Sequence, residues 1–203
     1  MTKVYSYVIV RDYGFAPNPF SEFCTLATCK PGIRNSAGVG DWVAGFGSAK
    51  SKRTGKLVFA MLVDEILTFE QYWVDERFGV KKPVLNGSLK RAYGDNIYSK
   101  SSAGWVQADS HHSFKGGRQN FENIRRDTKA NRVLISSKFY YFGGSAVGVP
   151  SYARFSGRHD ICRPGRGHKF NYPEQLSSSF IEWVTTQLTP GVNGEPADWR
   201  GSV

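Results

Sequence analysis

The stretch Gly40-Asp41-Trp42-Val43-Ala44-Gly45-Phe46-Gly47-Ser48 is followed, after a basic loop from Lys50 to Lys56, by Leu57-Val58-Phe59-Ala60-Met61-Leu62-Val63-Asp64-Glu65-Ile66-Leu67, the longest apolar run in the chain. Gly40-Asp41 marks a turn, Trp42 to Phe46 a strand, and Leu57 to Leu67 is expected to pair back onto it. Upstream, Tyr5 to Val10 is a continuous β-branched and aromatic run, the pattern of a central strand buried on both faces. The two prolines of Gly14-Phe15-Ala16-Pro17-Asn18-Pro19-Phe20 break any ladder and make that segment a loop. Downstream, Thr68-Phe69-Glu70-Gln71 has capping-box spacing and predicts a short helix carrying Phe69, Tyr72 and Trp73. Turn signals make Arg77 to Lys100 mostly loop, whereas Trp105 to Ala108, Arg132 to Ser136 and Lys138 to Phe142 read as strands. Leu176, Phe180, Trp183, Val184 and Leu188 recur at helical spacing behind Pro173. The expectation is an α+β fold with a mixed or antiparallel curled sheet and a C-terminal packing helix. A single domain spans 1–190 and a polar, mobile tail 191–203.

With 203 residues the chain can bury a core without staples, and its three cysteines do not describe a disulfide framework. A hydrophobic fraction of 40% excludes a disordered polymer. Arg11-Asp12 interrupts the apolar opening, so no signal peptide is read, and no run approaches the roughly 20 apolar residues of a membrane span. A cytoplasmic protein with no membrane partner is expected.

The formal charge is +10, and its distribution is uneven. Between His111 and Asn171 twelve Lys and Arg face only Glu122, Asp127 and Asp160, which leaves +9 in that window. Phe114, Phe121, Phe139, Tyr140, Tyr141, Phe142, Tyr152, Phe155 and Phe170 are interleaved with those cations. Phosphates require the cations and unstacked bases the rings, so DNA or nucleotides are the expected partners, with RNA as a further candidate. Trp42, Trp105, Tyr140 and Tyr141 are the candidate base-stacking residues. Within Arg163-Pro164-Gly165-Arg166-Gly167-His168-Lys169, glycines open the backbone to an anion beside positive charge. That makes Arg163, Gly165, Arg166, Gly167, His168 and Lys169 a candidate phosphate site.

Asp109-Ser110-His111-His112-Ser113 gathers a carboxylate, hydroxyls and imidazoles, the materials of general acid–base chemistry. Asp109, His111, His112 and the turn residue Asp95 are accordingly the candidate catalytic groups. In a strand, adjacent histidines point to opposite faces, so at most one of His111 and His112 is expected to face a given pocket. Cys24, Cys29, His159, Cys162 and His168 match no zinc spacing, so no metal is assigned. No Gly-x-Gly-x-x-Gly or phosphate loop is present, and no cofactor is assigned. Neither Cys24 nor Cys29 has a histidine nearby in sequence, so nucleophilic catalysis has no local signature.

Several motifs in fixed order extend across almost the whole chain. They are Tyr5-Ser6-Tyr7-Val8, Gly14 to Phe20, Cys24-Thr25-Leu26-Ala27-Thr28-Cys29-Lys30-Pro31, Gly40-Asp41-Trp42-Val43, Gly94-Asp95-Asn96-Ile97-Tyr98, Asp109 to Ser113, Arg132-Val133-Leu134-Ile135-Ser136, Gly165-Arg166-Gly167-His168 and Pro196-Ala197-Asp198-Trp199. Together they resemble the nucleotide modification associated domain family, second type. The resemblance implies a link to DNA base hypermodification in phages and bacteria, and with it a protein that acts on nucleobases or nucleotides. The first strand and the Gly-Asp-Trp-Val opening also resemble the start of PUA-like or EVE-like barrels. That similarity implies a curled barrel and, as the alternative function, a non-catalytic reader of modified bases in DNA or RNA.

Overall fold

The computed structural model describes residues 2–162 and 167–199. In chain order the elements are β1 (Val4–Ile9), β2 (Cys24–Leu26), α1 (Pro31–Ser36), β3 (Trp42–Gly47), β4 (Lys56–Leu62), β5 (Glu65–Leu67) and α2 (Phe69–Val74). They continue with α3 (Leu89–Ala92), β6 (Tyr98–Ser101), β7 (Gly104–Gln107), α4 (Phe121–Thr128), β8 (Val133–Ser136), β9 (Phe139–Tyr141), β10 (Val147–Gly148) and α5 (Ser151–Arg154). Last come β11 (Phe155–Ser156), β12 (His159–Asp160), β13 (His168–Lys169), α6 (Glu174–Gln187) and β14 (Gly191–Val192). The chain divides into two compact units: Met1–Tyr13, Ala37–Asp64 and Ser136–Val203 form the first, and Gly14–Ser36 with Glu65–Ile135 the second.

A mixed sheet organises the first unit, in the order β13-β1-β3-β4-β9-β14, with β10 also on β4. β1 and β3 run parallel, so their connection must leave the sheet; β3 and β4 are antiparallel, as the sequence predicts. Trp42, Ala44, Phe46, Leu57 and Ala60 bury one face against Leu176, Phe180, Trp183 and Val184 of α6. That helix starts behind Pro173, as its spacing predicts. Between β3 and β4 the fit is tight at Gly45, where an added Cβ would lie 2.4 Å from Phe59 Cε1 and 2.5 Å from Ile9 Cδ1.

Four expectations are corrected. The described sheets do not close into a PUA-like or EVE-like barrel, because the large sheet ends on the two-residue strands β13 and β14. The run Leu57 to Leu67 is not one strand. Val63 exchanges backbone hydrogen bonds with Gly40 and Asp41, Asp64 accepts from the Ser137 amide and hydroxyl at 2.5 and 2.6 Å, and β5 goes on to pair with β8. Arg77 to Lys100 is not mostly loop, since a 3-10 helix (Glu76–Lys81), α3 and the start of β6 occupy much of it. The described part of the tail is docked. β14 pairs with β9, Asp198 and Asp12 exchange hydrogen bonds, and Trp199 Nε1 donates to Tyr13 O at 2.9 Å.

The second unit contains the sheet β2-β8-β5 and the hairpin β6-β7. Thr68 and Gln71 form the capping box of α2 that the sequence predicts. The sequence did not foretell α4, which Asn120 caps by accepting from the Asn123 amide. Arg34, from α1, is the largest fully buried side chain of the unit. Its guanidinium donates to four carbonyls: Cys29 at 2.9 Å, Ala130 at 2.6 Å, Arg132 at 2.7 Å and Asp127 at 2.5 Å. Phe69 lies 5.3 Å beneath it. Burial pushes the Arg34 pKa down to about 10, the nearby Asp127 charge opposing the fall.

Candidate active site

The second unit brings together three side chains far apart in sequence. Cys29 sits between β2 and α1 with φ 56°, a left-handed conformation that costs a non-glycine residue about 1 kcal/mol or more. Both of its backbone polar groups are tied: its N–H donates to Asp127 Oδ1 at 3.0 Å and its carbonyl accepts from Arg34. These bonds hold the strained residue, and they commit the Cys29 amide to the protein rather than to a ligand.

His112 lies in a turn built by its neighbours. Ser113 Oγ donates to Asp109 Oδ1 at 2.8 Å, the Ser110 amide donates to Ser113 Oγ at 3.0 Å, and Asn123 Nδ2 donates to the His112 carbonyl at 2.8 Å. In this pose His112 Nε2 is 3.8 Å from Cys29 Sγ, within reach for a sulfur hydrogen bond, and Nδ1 is 2.9 Å from Asp127 Oδ2. Phe15 packs edge-on against the imidazole with ring centroids 4.6 Å apart. Asp127, fully buried on α4, also accepts from Tyr98 OH at 2.9 Å and from Arg126 Nε at 3.4 Å. A thiol, an imidazole and a carboxylate thus stand in series, the order in which a base activates a nucleophile while a third group fixes the base.

The electrostatics agree with the geometry. Burial disfavours charge on His112, but its hydrogen bonds to Asp127 and Cys29 outweigh that cost and push its pKa up to about 9. Burial alone would raise the Asp127 pKa, yet His112, Arg126 and Tyr98 hold it below the ordinary carboxylate value. Because the folded pKa of His112 exceeds the unfolded value near 6.5, its protonation contributes stability in full below pH 6.5, and that contribution is lost as pH rises toward 9. Urea unfolding should therefore show the native chain more stable than His112→Gln by roughly 3 kcal/mol at pH 6. The gap should narrow steadily up to pH 9; one that does not change with pH would exclude the charged pair.

The structure distributes the other candidates as follows. Asp109 shapes the His112 turn, and His111 is exposed, edge-on to Phe15 at 5.3 Å and to Tyr93 at 5.1 Å. The two histidines are in a turn, not a strand, so both rings reach Phe15 and do not diverge. Asp95 is fully buried and accepts from Thr25 Oγ1 and Tyr72 OH, both at 2.8 Å. Burial pushes its pKa up to about 6 against the charge of Lys81, itself lowered to about 8 by burial. Trp42 and Tyr140 stack with centroids 6.2 Å apart inside the first unit's core, and Tyr141 is buried with its hydroxyl on Asp12. Trp105 is half-buried. Arg163, Gly165 and Arg166 lie outside the described residues, and Gly167 is exposed. His168 and Lys169 form β13 of the first unit, whereas His112 belongs to the second. Among the described residues, no group of three or more His, Cys, Asp or Glu is arranged to hold a metal ion. No helix among them is long and apolar enough to cross a membrane.

Sequence reasoning missed Asp127, Tyr98 and Arg34, and it set Cys29 aside as a nucleophile because no histidine is near it in sequence. One signal was present: Asn120 before Phe121-Glu122-Asn123-Ile124-Arg125-Arg126-Asp127 is an N-cap followed by Ile124 and Asp127 three residues apart, one inward face of a helix. A protein-family model described as nucleotide modification associated domain 2 matches residues 1–203. No curated protein and no solved structure matches the chain.

Proposed function

The chain belongs to the nucleotide modification associated domain 2 family, and on that premise we propose that it is a thiol-dependent enzyme acting on a nucleobase or nucleotide, with Cys29 as nucleophile. The Cys29–His112–Asp127 series supports this reading. In the reaction, Cys29 Sγ bonds to an electrophilic carbon of the nucleotide. His112 Nε2, in the neutral form that gains population as pH rises toward 9, takes the thiol proton, and Asp127 keeps the Nδ1 proton in place. The electron pair displaced from that carbon moves onto a leaving group or a heteroatom of the base, which then receives the proton from His112. Asp109 and His111 serve this centre as neighbours: Asp109 fixes the turn and His111 borders it. A reader without catalysis is the weaker reading, because Trp42, Tyr140 and Tyr141 are core residues.

Alkylation tests the nucleophile directly. Cys24 and Cys162 are buried and Cys29 is partly exposed, so brief treatment of the full chain with iodoacetamide should label Cys29 first. His112→Gln should slow that labelling about tenfold or more. Incubation with nucleotides and DNA, followed by mass spectrometry, should then show an adduct on Cys29 or an altered nucleoside. Equal labelling of all three cysteines, with unaltered nucleosides across the panel, would overturn the proposal.

A further inference from the structure

Within the second unit, the outward side of α4 and the β6-β7 hairpin frame a cavity of about 620 Å³. Its walls combine two features. Trp105 and Phe121 supply rings. Phe121 is 72% exposed, so its ring is open to a ligand. Trp105 is held in place by Phe69 edge-on at 5.7 Å and by the Lys100 ammonium at 5.4 Å from its ring. Arg125 and Lys129 supply charge on the same wall, and a second hollow of about 230 Å³, lined by Glu122, Arg125, Arg126 and Lys129, adjoins them. Three cations therefore line these hollows beside one carboxylate, Glu122, with Arg126 Nε also 3.4 Å from Asp127 Oδ1.

The spacing is set by the helix. Phe121, Arg125 and Lys129 are four residues apart, and Lys129, which caps α4, keeps the helical backbone, so the three form one stripe with about 6 Å between successive positions. A flat apolar group at one end of that stripe and an anion one or two turns further on would satisfy every member of it. A nucleotide carries a planar base at about that distance from its 5′-phosphate, and Glu122 can accept from a sugar hydroxyl or an exocyclic amine.

We propose that this groove binds a free nucleoside 5′-phosphate, its base against Trp105 and Phe121 and its phosphate on Arg125, Lys129 and Arg126. The proposal goes beyond the thiol-enzyme reading: Cys29, His112 and Asp127 are not in the lining of the groove, so the nucleotide held there is distinct from the one that Cys29 attacks. It also gives α4 two duties, since the helix holds Asp127 on its buried side and the ligand on its outer side.

Titration of the full-length protein with dCMP, dTMP, dAMP and dGMP, followed by calorimetry, is the test. Saturable binding is expected for at least one nucleotide. Phe121→Ala and the double variant Arg125→Glu/Lys129→Glu should each weaken it about tenfold or more, in line with loss of one stacking ring or of paired charges. Ribose 5-phosphate, which lacks the base, should bind about tenfold more weakly than the best nucleotide. Unchanged nucleotide affinity in both variants, or equal affinity for ribose 5-phosphate, overturns the groove. Binding of decathymidylate tenfold or more tighter than dTMP overturns the free nucleotide as its occupant and assigns the groove to a DNA strand. The two proposals fail separately: if groove variants bind as the native chain does while Cys29 is still labelled first, only the groove is wrong. If nucleotides bind the groove but Cys29 is labelled no faster than the other thiols, only the nucleophile is wrong.

Discussion

Cys29→Ser is expected to reduce turnover of the nucleotide substrate by a factor on the order of 10⁴ while leaving the unfolding midpoint within about 2 °C of the native chain. The magnitude follows from the series arrangement. A hydroxyl replaces the thiol that faces His112, so the step that forms the covalent bond is lost, whereas the packing changes by one atom. His112→Gln should cost a similar factor, and the double variant little more, because groups that act as a unit are not additive. Asp127→Asn is a different case. It removes a carboxylate that serves His112, Tyr98 and the Cys29 amide together, so it should lower both activity and stability. Quantitative mass spectrometry of product nucleosides would measure these effects. Retention of full turnover by Cys29→Ser would sink the assignment.

Arg34→Leu should destabilise the chain by more than about 4 kcal/mol, a large share of the 5–15 kcal/mol available to an ordinary domain. Leucine fills much of the volume, but the carbonyls of Cys29, Asp127 and Arg132 lose the donor that Arg34 supplies, and that of Ala130 keeps only the Arg132 amide at 2.8 Å. Each such group costs about 1–3 kcal/mol when left unpaired. Arg34→Lys should recover only part of the loss, since an ammonium cannot match a planar fork that serves four acceptors. Equilibrium urea denaturation of the two variants reads the difference. A Leu variant within about 1 kcal/mol of the native chain would show that the four bonds are not essential to the unit. The same change should loosen Cys29, because Arg34 holds its carbonyl.

Much of the fold is legible locally. The antiparallel pairing of β3 with β4, the capping box at Thr68 and the apolar stripe of α6 each depend on residues within a short window, and the sequence states them directly. What is not legible is where a run stops. Leu57 to Leu67 reads as one strand because periodicity does not record that Val63 pairs with Gly40 and Asp41 or that Asp64 caps Ser137. The barrel expectation failed for a related reason: closure depends on the length of the edge strands, and two-residue strands leave almost no pattern. The site shows the same division. Asp109-Ser110-His111-His112-Ser113 drew notice by composition, and His112 is indeed in the candidate site. Its partners Cys29 and Asp127 are 83 and 15 residues away, and only the folded chain identifies them. Asp95 attracted attention as a turn residue, but its burial beside Thr25, Tyr72 and Lys81 was not readable from Gly94-Asp95-Asn96.

The polypeptide passes between its two units four times, after Tyr13, Ser36, Asp64 and Ile135. Neither unit can therefore be obtained as an uninterrupted gene fragment; a cut after Ser36 or Asp64 severs both, whereas one after Tyr13 or Ile135 severs only the first. During synthesis the order of completion is fixed as well. Every residue of the unit that holds Cys29, His112 and Asp127 has been translated by Ile135, whereas β1, β3 and β4 must wait for β9 and α6 to leave the ribosome. The half that carries Cys29 is thus the one whose residues are complete first, while its companion still lacks β9 and α6.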